Sequence, residues 1–98
     1  MTINKTSENG VLTVSLGGRL DTATAPELEK ELNECLEECE ELVFDLEGLE
    51  YMSSAGLRLM LSSQKKMADK GGMKVTKVND MIMEIFDITG FTDILTIE

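Results

Sequence analysis

Apolar and polar residues alternate in two short segments at the start of the chain, residues 2–7 and 11–16. A period of two is typical of strands that bury one face. Asn9-Gly10 stands between the two segments, and this dipeptide favours the two-residue turn of a β-hairpin. The pattern therefore predicts that an antiparallel pair of strands opens the fold.

After Gly17-Gly18 the spacing of apolar residues becomes helical. Thr24-Ala25-Pro26-Glu27 has the spacing of a capping box with a proline in the first turn, which predicts a helix start capped by Thr24. The apolar stripe of this first helix consists of Leu28, Leu32, Cys35, Leu36 and Cys39. We interpret both cysteines as core residues.

Two further strand-helix units and a last strand follow the first helix. Residues 42–46 form a short apolar run that predicts a central strand. The second helix is expected to begin near Ser54 and to end at Lys70, before Gly71-Gly72. The remaining elements are a strand over residues 73–78, a helix capped by Asn79 or Asp80 and ended by Gly90, and a strand over residues 92–97. The order β-β-α-β-α-β-α-β predicts an α/β fold with a mixed, mostly parallel sheet flanked by helices.

Composition narrows the possible functions. The 98 residues leave room for one domain, residues 1–98, and they include no histidine. Without histidine, neither a Ser-His-Asp nor a Cys-His catalytic arrangement can form. We expect a protein that is not an enzyme and that holds no metal and no cofactor. Since no apolar run is long enough to span a bilayer and no secretory signal is visible, we also expect a cytoplasmic protein without membrane contact.

The charge is large and unevenly distributed. The net charge of −10 disfavours nucleic acid as a partner, because phosphate backbones would be repelled. Residues 27–50 contain eleven acidic side chains and one lysine, whereas residues 58–77 contain six basic side chains and one aspartate. Such segments favour binding to a charged protein partner, although runs of like charge more often form solvated helix faces.

One segment, residues 51–58, is placed where an α/β protein gathers functional groups, between the end of a strand and the start of a helix. Its serines stand where free backbone amides and the positive end of the helix dipole favour anions. A serine ahead of a helix is, however, most often only an N-cap.

Three segments resemble the STAS domains of bacterial anti-sigma factor antagonists and of sulphate-transporter tails. They are residues 46–57 (LEGLEYMSSAGL), 18–25 (GRLDTATA) and 85–91 (IFDITGF). The resemblance covers essentially the whole chain, and its length is similar to that of the free-standing antagonists.

The resemblance implies a partner-switching protein. An antagonist of this family binds, in its unmodified form, an anti-sigma factor that is also a serine kinase, and a sigma factor is thereby released. The kinase then phosphorylates a serine at the start of the second helix, which by position is Ser54. A metal-dependent serine phosphatase resets the pair. We expect the phosphate to block the surface with little change of fold.

The resemblance also predicts which residues meet the partner. They are Asp21, Thr22, Ser53, Ala55, Gly56, Leu57 and Arg58. Well-known antagonists have aspartate in place of Ser53, serine or threonine in place of Ala55, and often glycine in place of Arg58. Asp21 is equally compatible with helix capping, and Arg58 with balancing the acidic first helix. The alternative function is a constitutive STAS scaffold subunit of a signalling or lipid-transport complex, without a phosphorylation cycle.

Overall fold

Strands and helices alternate in the predicted order in a computed structural model that describes residues 1–98. The strands are β1 (Thr2–Glu8), β2 (Val11–Leu20), β3 (Glu41–Met52), β4 (Met73–Thr76) and β5 (Thr96–Ile97). The helices are α1 (Ala25–Cys35), α2 (Ser54–Met67) and α3 (Asp80–Thr89), and a single 3-10 turn covers Phe91–Asp93. The predicted α/β fold is confirmed.

The five strands form one sheet in the order β1-β2-β3-β4-β5. The β1–β2 pair is antiparallel, and every later pair is parallel. Asn9 and Gly10 both adopt positive φ angles, 54° and 83°, which the tight hairpin turn with matching twist requires. The predicted hairpin and mixed sheet are therefore both present.

Helices cover one face of the sheet. Every second residue of the two central strands is buried on that face, namely Leu12, Val14, Leu16, Leu42, Phe44 and Leu46. The residues between them are partly exposed, so the opposite face of the sheet meets solvent. The helices complete the core with side chains such as Leu28, Met60 and Phe86, which are 0% exposed.

The first helix is shorter than its apolar stripe. α1 ends at Cys35, so the prediction that the stripe stays helical as far as Cys39 is wrong. Leu36 and Cys39 are still buried, because the turn after the helix packs against the same core. Both cysteines are free thiols; Cys39 is a core residue as predicted, and Cys35 is only partly buried.

Several other boundaries differ from the predictions. β2 continues through Gly17-Gly18 to Leu20 and β3 continues beyond residue 46 to Met52, because the two strands pair with each other along this stretch. α2 ends at Met67, three residues before Lys70, and β4 ends at Thr76 because Lys77 adopts a left-handed φ of 58°. The last strand is confined to Thr96–Ile97, since Gly90 ends α3 at a φ of 80° and the 3-10 turn uses the residues that follow.

Of the two capping candidates for α3, the structure selects Asn79. Its side-chain oxygen accepts a hydrogen bond from the Ile82 amide at 2.9 Å, and its Nδ2 donates to the Leu49 carbonyl at 2.8 Å. None of the three helices has the length and apolarity that crossing a membrane requires.

Candidate functional site

Two of the segments discussed above, residues 18–25 and residues 51–58, meet at one edge of the sheet. β2 and β3 are parallel and in register at their ends, where Leu20 stands opposite Met52. The Ser53 amide donates a hydrogen bond to the Leu20 carbonyl at 2.9 Å. The turn before α1 and the start of α2 are therefore neighbours, as expected for the carboxyl ends of adjacent parallel strands.

The turn before α1 is closed by Asp21 and Thr24. Asp21 Oδ1 accepts hydrogen bonds from the Ala23 and Thr24 amides at 3.0 and 3.1 Å. The Thr24 amide is the main reason that the pKa of the Asp21 carboxyl is lowered. Thr24 Oγ1 accepts from the Asp21 amide and donates to the Arg19 carbonyl, at 2.9 and 2.8 Å. Thr24 occupies the predicted N-cap position of α1, but its hydroxyl is used within this turn and makes no cap hydrogen bond.

Arg19 and Tyr51 support the same turn, and sequence reasoning missed both as parts of the site. They are register partners on β2 and β3, and the Arg19 guanidinium lies 4.4 Å from the centre of the Tyr51 ring. Arg19 Nε is also 3.8 Å from Asp21 Oδ2. The signal that could have found them is the strand register, which brings the two residues opposite one another.

Ser53 and Ser54 have different roles at the start of α2. Ser53 has extended backbone angles, φ −90° and ψ −179°, and its Oγ accepts a hydrogen bond from the Ala55 amide at 3.2 Å. It is therefore the N-cap. Ser54 is the first residue of the helix, its side chain is exposed, and its hydroxyl makes no hydrogen bond within the chain. Only the second serine presents an unengaged hydroxyl to solvent.

The next three residues, Ala55, Gly56 and Leu57, are buried, although Ala55 also lines the surface groove described below. A Cβ on Gly56 would stand 2.7 Å from a Met52 carbon and 2.8 Å from a Leu20 carbon. The glycine thus lets α2 approach the strand ends of its own chain. Gly56 and Leu57, which are predicted to meet the partner, thus pack against the core in the free chain.

A surface groove of about 410 Å³ runs between the start of α1 and the exposed side of α2. It is lined by Thr22, Ala25, Pro26, Glu29, Ala55, Arg58, Leu59 and Ser62. The groove therefore brings together three of the predicted docking residues, Thr22, Ala55 and Arg58. Pro26, Glu29 and Ser62 were missed, because helix packing across the groove has no local signal in the sequence.

Arg58 is exposed on α2, one turn after Ser54. It shares the groove with Glu29 but forms no ion pair with that or any other carboxylate. Direct pairing with the acidic α1, one of the two roles considered for Arg58, is therefore absent. Its guanidinium is free to meet another molecule.

The family comparison agrees with this architecture. The model of the STAS domain matches residues 2–98. An anti-sigma F factor antagonist from Paenibacillus polymyxa is 35% identical over 91 residues, covering 90% of this chain and 78% of the relative. An anti-sigma-B factor antagonist from Bacillus subtilis (strain 168) is 33% identical over 94 residues, covering 95% and 85% respectively.

A solved structure shows the same fold. The crystal structure of an anti-sigma factor antagonist from Mycobacterium paratuberculosis superposes with a TM-score of 0.89 at 26% identity. The superposition covers 98% of this chain and 83% of the other. The chain therefore belongs to the STAS domain family, in which its relatives are anti-sigma factor antagonists.

Proposed function

We propose that this chain is a cytoplasmic anti-sigma factor antagonist whose binding is controlled by phosphorylation of Ser54. The unmodified protein binds an anti-sigma factor with serine kinase activity, so that a sigma factor is released. The observation that carries the proposal is the exposed, unengaged Ser54 hydroxyl at the first position of α2, beside the groove that Arg58 lines. The names of the relatives, antagonists of anti-sigma F and anti-sigma-B factors, supply the partner class.

The chemistry requires a hydroxyl that can reach the kinase. Ser54 Oγ attacks the γ-phosphorus of ATP, the bond to the β-phosphate oxygen breaks, the hydroxyl proton passes to a base of the kinase, and ADP leaves. Ser53 is the poorer acceptor, because its partly buried Oγ already accepts the N-cap hydrogen bond from Ala55. The antagonist contributes only the acceptor oxygen. A metal-dependent serine phosphatase would hydrolyse the phosphoserine and reset the protein.

Two effects of the phosphate compete. It adds about −1.5 to −2 charges at neutral pH. At the N-terminus of α2 this charge meets the favourable end of the helix dipole, worth about 0.3–1 kcal/mol, so the free domain stays folded. In a docked interface an unpaired buried charge costs several kcal/mol, and a loss of about 4 kcal/mol weakens binding roughly a thousandfold. The interface effect dominates, and the phosphate acts by blocking the surface.

The test compares Ser54→Ala and Ser54→Asp with the wild-type protein as baits in a lysate of the source organism. Ser7→Asp is the control, because Ser7 is an exposed serine on β1, away from the groove. We expect the wild-type, Ser54→Ala and Ser7→Asp proteins to capture an ATPase-type serine kinase that Ser54→Asp fails to retain.

The captured kinase, once purified, is then incubated with ATP and the wild-type protein. Mass spectrometry of the peptides is expected to place a single phosphate on Ser54, and none should appear on Ser54→Ala. Retention of the same partner by all four baits would contradict the proposal and would favour the constitutive scaffold. Circular dichroism should show the same helix content for Ser54→Asp as for the wild-type protein.

A further inference from the structure

Arg58 is a basic side chain without a partner in an acidic molecule. Four basic side chains form ion pairs with carboxylates, namely Lys5, Arg19, Lys74 and Lys77. Lys66 and Lys70 donate hydrogen bonds to uncharged oxygens. Arg58, like Lys30 and Lys65, makes neither kind of contact, and it stands exposed on α2 although the net charge of the chain is −10.

The position of Arg58 relative to Ser54 is the second observation. Residues four apart on a helix have Cβ atoms about 5–6 Å apart on the same face, and both of these side chains are exposed. An anion four residues before a cation is the favourable orientation of such a pair. A guanidinium also matches the geometry of phosphate oxygens, with which it forms two parallel hydrogen bonds.

We propose that Arg58 exchanges ionic partners when Ser54 is phosphorylated. In the unmodified protein the guanidinium is free for a carboxylate of the bound anti-sigma factor. After phosphorylation it pairs with the phosphate on its own helix, so that the partner meets a new negative charge and also loses its cation. This inference rests on the proposed phosphorylation of Ser54, and it explains why a basic residue lies one turn from the modified serine.

Charged groups of both signs lie around this position. Glu29 of α1 lines the same groove, Asp21 of the neighbouring turn is 3.8 Å from Arg19, and Lys65 and Lys66 follow Arg58 on α2. The carboxylates would raise the pKa of a phosphate on Ser54, whereas Arg58 and the other cations would lower it. A comparison of variants that differ only at Arg58 keeps all the other contributions constant and isolates the guanidinium.

The test uses this chain alone, with phosphoserine incorporated at position 54 during synthesis. The second pKa of the phosphate, about 6 in free phosphoserine, is measured by 31P NMR in the wild-type protein, Arg58→Gln and Lys65→Gln. Lys65 is the matched control, since it is exposed on the same helix and has no ion pair.

We expect the pKa of the phosphate to be about 0.3 lower in the wild-type protein than in Arg58→Gln, the effect of a typical surface pair four residues apart. Lys65→Gln should behave as the wild type, and 1 M NaCl should remove most of the difference by screening. Equal pKa values in the wild-type and Arg58→Gln proteins would overturn the inference. So would an equal rise in Lys65→Gln.

A second measurement tests whether Arg58 of the unmodified protein contributes to binding the partner. Unmodified Arg58→Gln should bind the kinase captured by the wild-type bait about tenfold more weakly, while Lys65→Gln binds it normally. Unchanged affinity of Arg58→Gln would contradict the role of Arg58 toward the partner. Because the titration needs neither kinase nor ATP, its failure refutes the ion pair alone, whereas a kinase that leaves Ser54 unmodified refutes the proposed function.

Discussion

Lys70, which follows α2, stabilises the turn at the end of α1. Its ammonium donates hydrogen bonds to the carbonyls of Leu36, Glu37 and Cys39 at 2.7, 3.0 and 2.9 Å. Leu36 is the C-cap of α1, where carbonyls lack a partner within the helix and carry the negative end of its dipole, and Glu37 and Cys39 belong to the turn that follows. The last turn of α1 contains no basic residue, so Lys70, which follows α2, supplies the missing cation.

The size of this contribution follows from the three contacts. A hydrogen bond from a charged group is worth about 1.5–3 kcal/mol, but the three share one ammonium that is partly open to water, so we expect about 2 kcal/mol in total. For a domain of fewer than 100 residues, 1 kcal/mol corresponds to about 4–8 °C in Tm. Lys70→Met, which keeps the length and removes the charge, should therefore lower Tm by about 8–16 °C.

Thermal unfolding followed by circular dichroism measures this loss, with Lys65→Met as the matched control. Lys65 is exposed on α2 and makes no hydrogen bond or ion pair within the chain, so its variant should melt within about 2 °C of the wild-type protein. Amide hydrogen exchange should also become faster around residues 36–39 in Lys70→Met. If the two variants melt at the same temperature, the three contacts contribute nothing and the reasoning is refuted.

Substitutions at three further positions test the contacts that support the site. In urea unfolding, the free energy of unfolding of Gly56→Ala should be about 1–2 kcal/mol lower than that of the wild type, because overpacking outweighs the gain in helix propensity. Equal stability would show that α2 can move outward. The free energy of unfolding of Asn79→Ala should also be about 1–2 kcal/mol lower, whereas Asn79→Asp keeps the cap and loses only the bond to Leu49, so its stability should lie between those of Asn79→Ala and the wild type. Since hydrogen bonding lowers the pKa of Asp21 in the folded state, Asp21→Asn should be less stable than the wild type above about pH 4. The difference should shrink as the pH falls from about 4 through the lowered pKa, and a difference independent of pH would contradict this.

Elements with strong local signals were predicted correctly from the sequence. The Asn9-Gly10 turn, the helix start at Ser54 and the end of α3 at Gly90 all depend on residues that are close together in the chain. Each signal is a backbone preference or a cap, and neither requires knowledge of distant contacts. The alternation of strands and helices then fixed the order and the parallel pairing of the sheet.

The errors occurred where contacts outside the first helix decide the outcome. Leu36 and Cys39 have helical spacing after Leu32, but they are buried in a turn that Lys70 holds from another element. Thr24 has the sequence context of a cap, yet its hydroxyl is used by the Asp21 turn. In the first case tertiary hydrogen bonds hold a turn where the sequence favours continued helix, and in the second a hydrogen bond within the preceding turn replaces the cap bond.

The division of roles between Ser53 and Ser54 combines both kinds of information. The sequence places two serines at a helix start, where either one is able to act as the cap. The structure assigns the cap to Ser53, through its bond to the Ala55 amide, and leaves the Ser54 hydroxyl unengaged. An aspartate at position 53 would cap the helix equally well, because its side-chain oxygen accepts the same bond. The serine that replaces the usual aspartate therefore preserves the geometry that keeps Ser54 available, and Ser53→Asp should leave both helix content and phosphorylation of Ser54 unchanged.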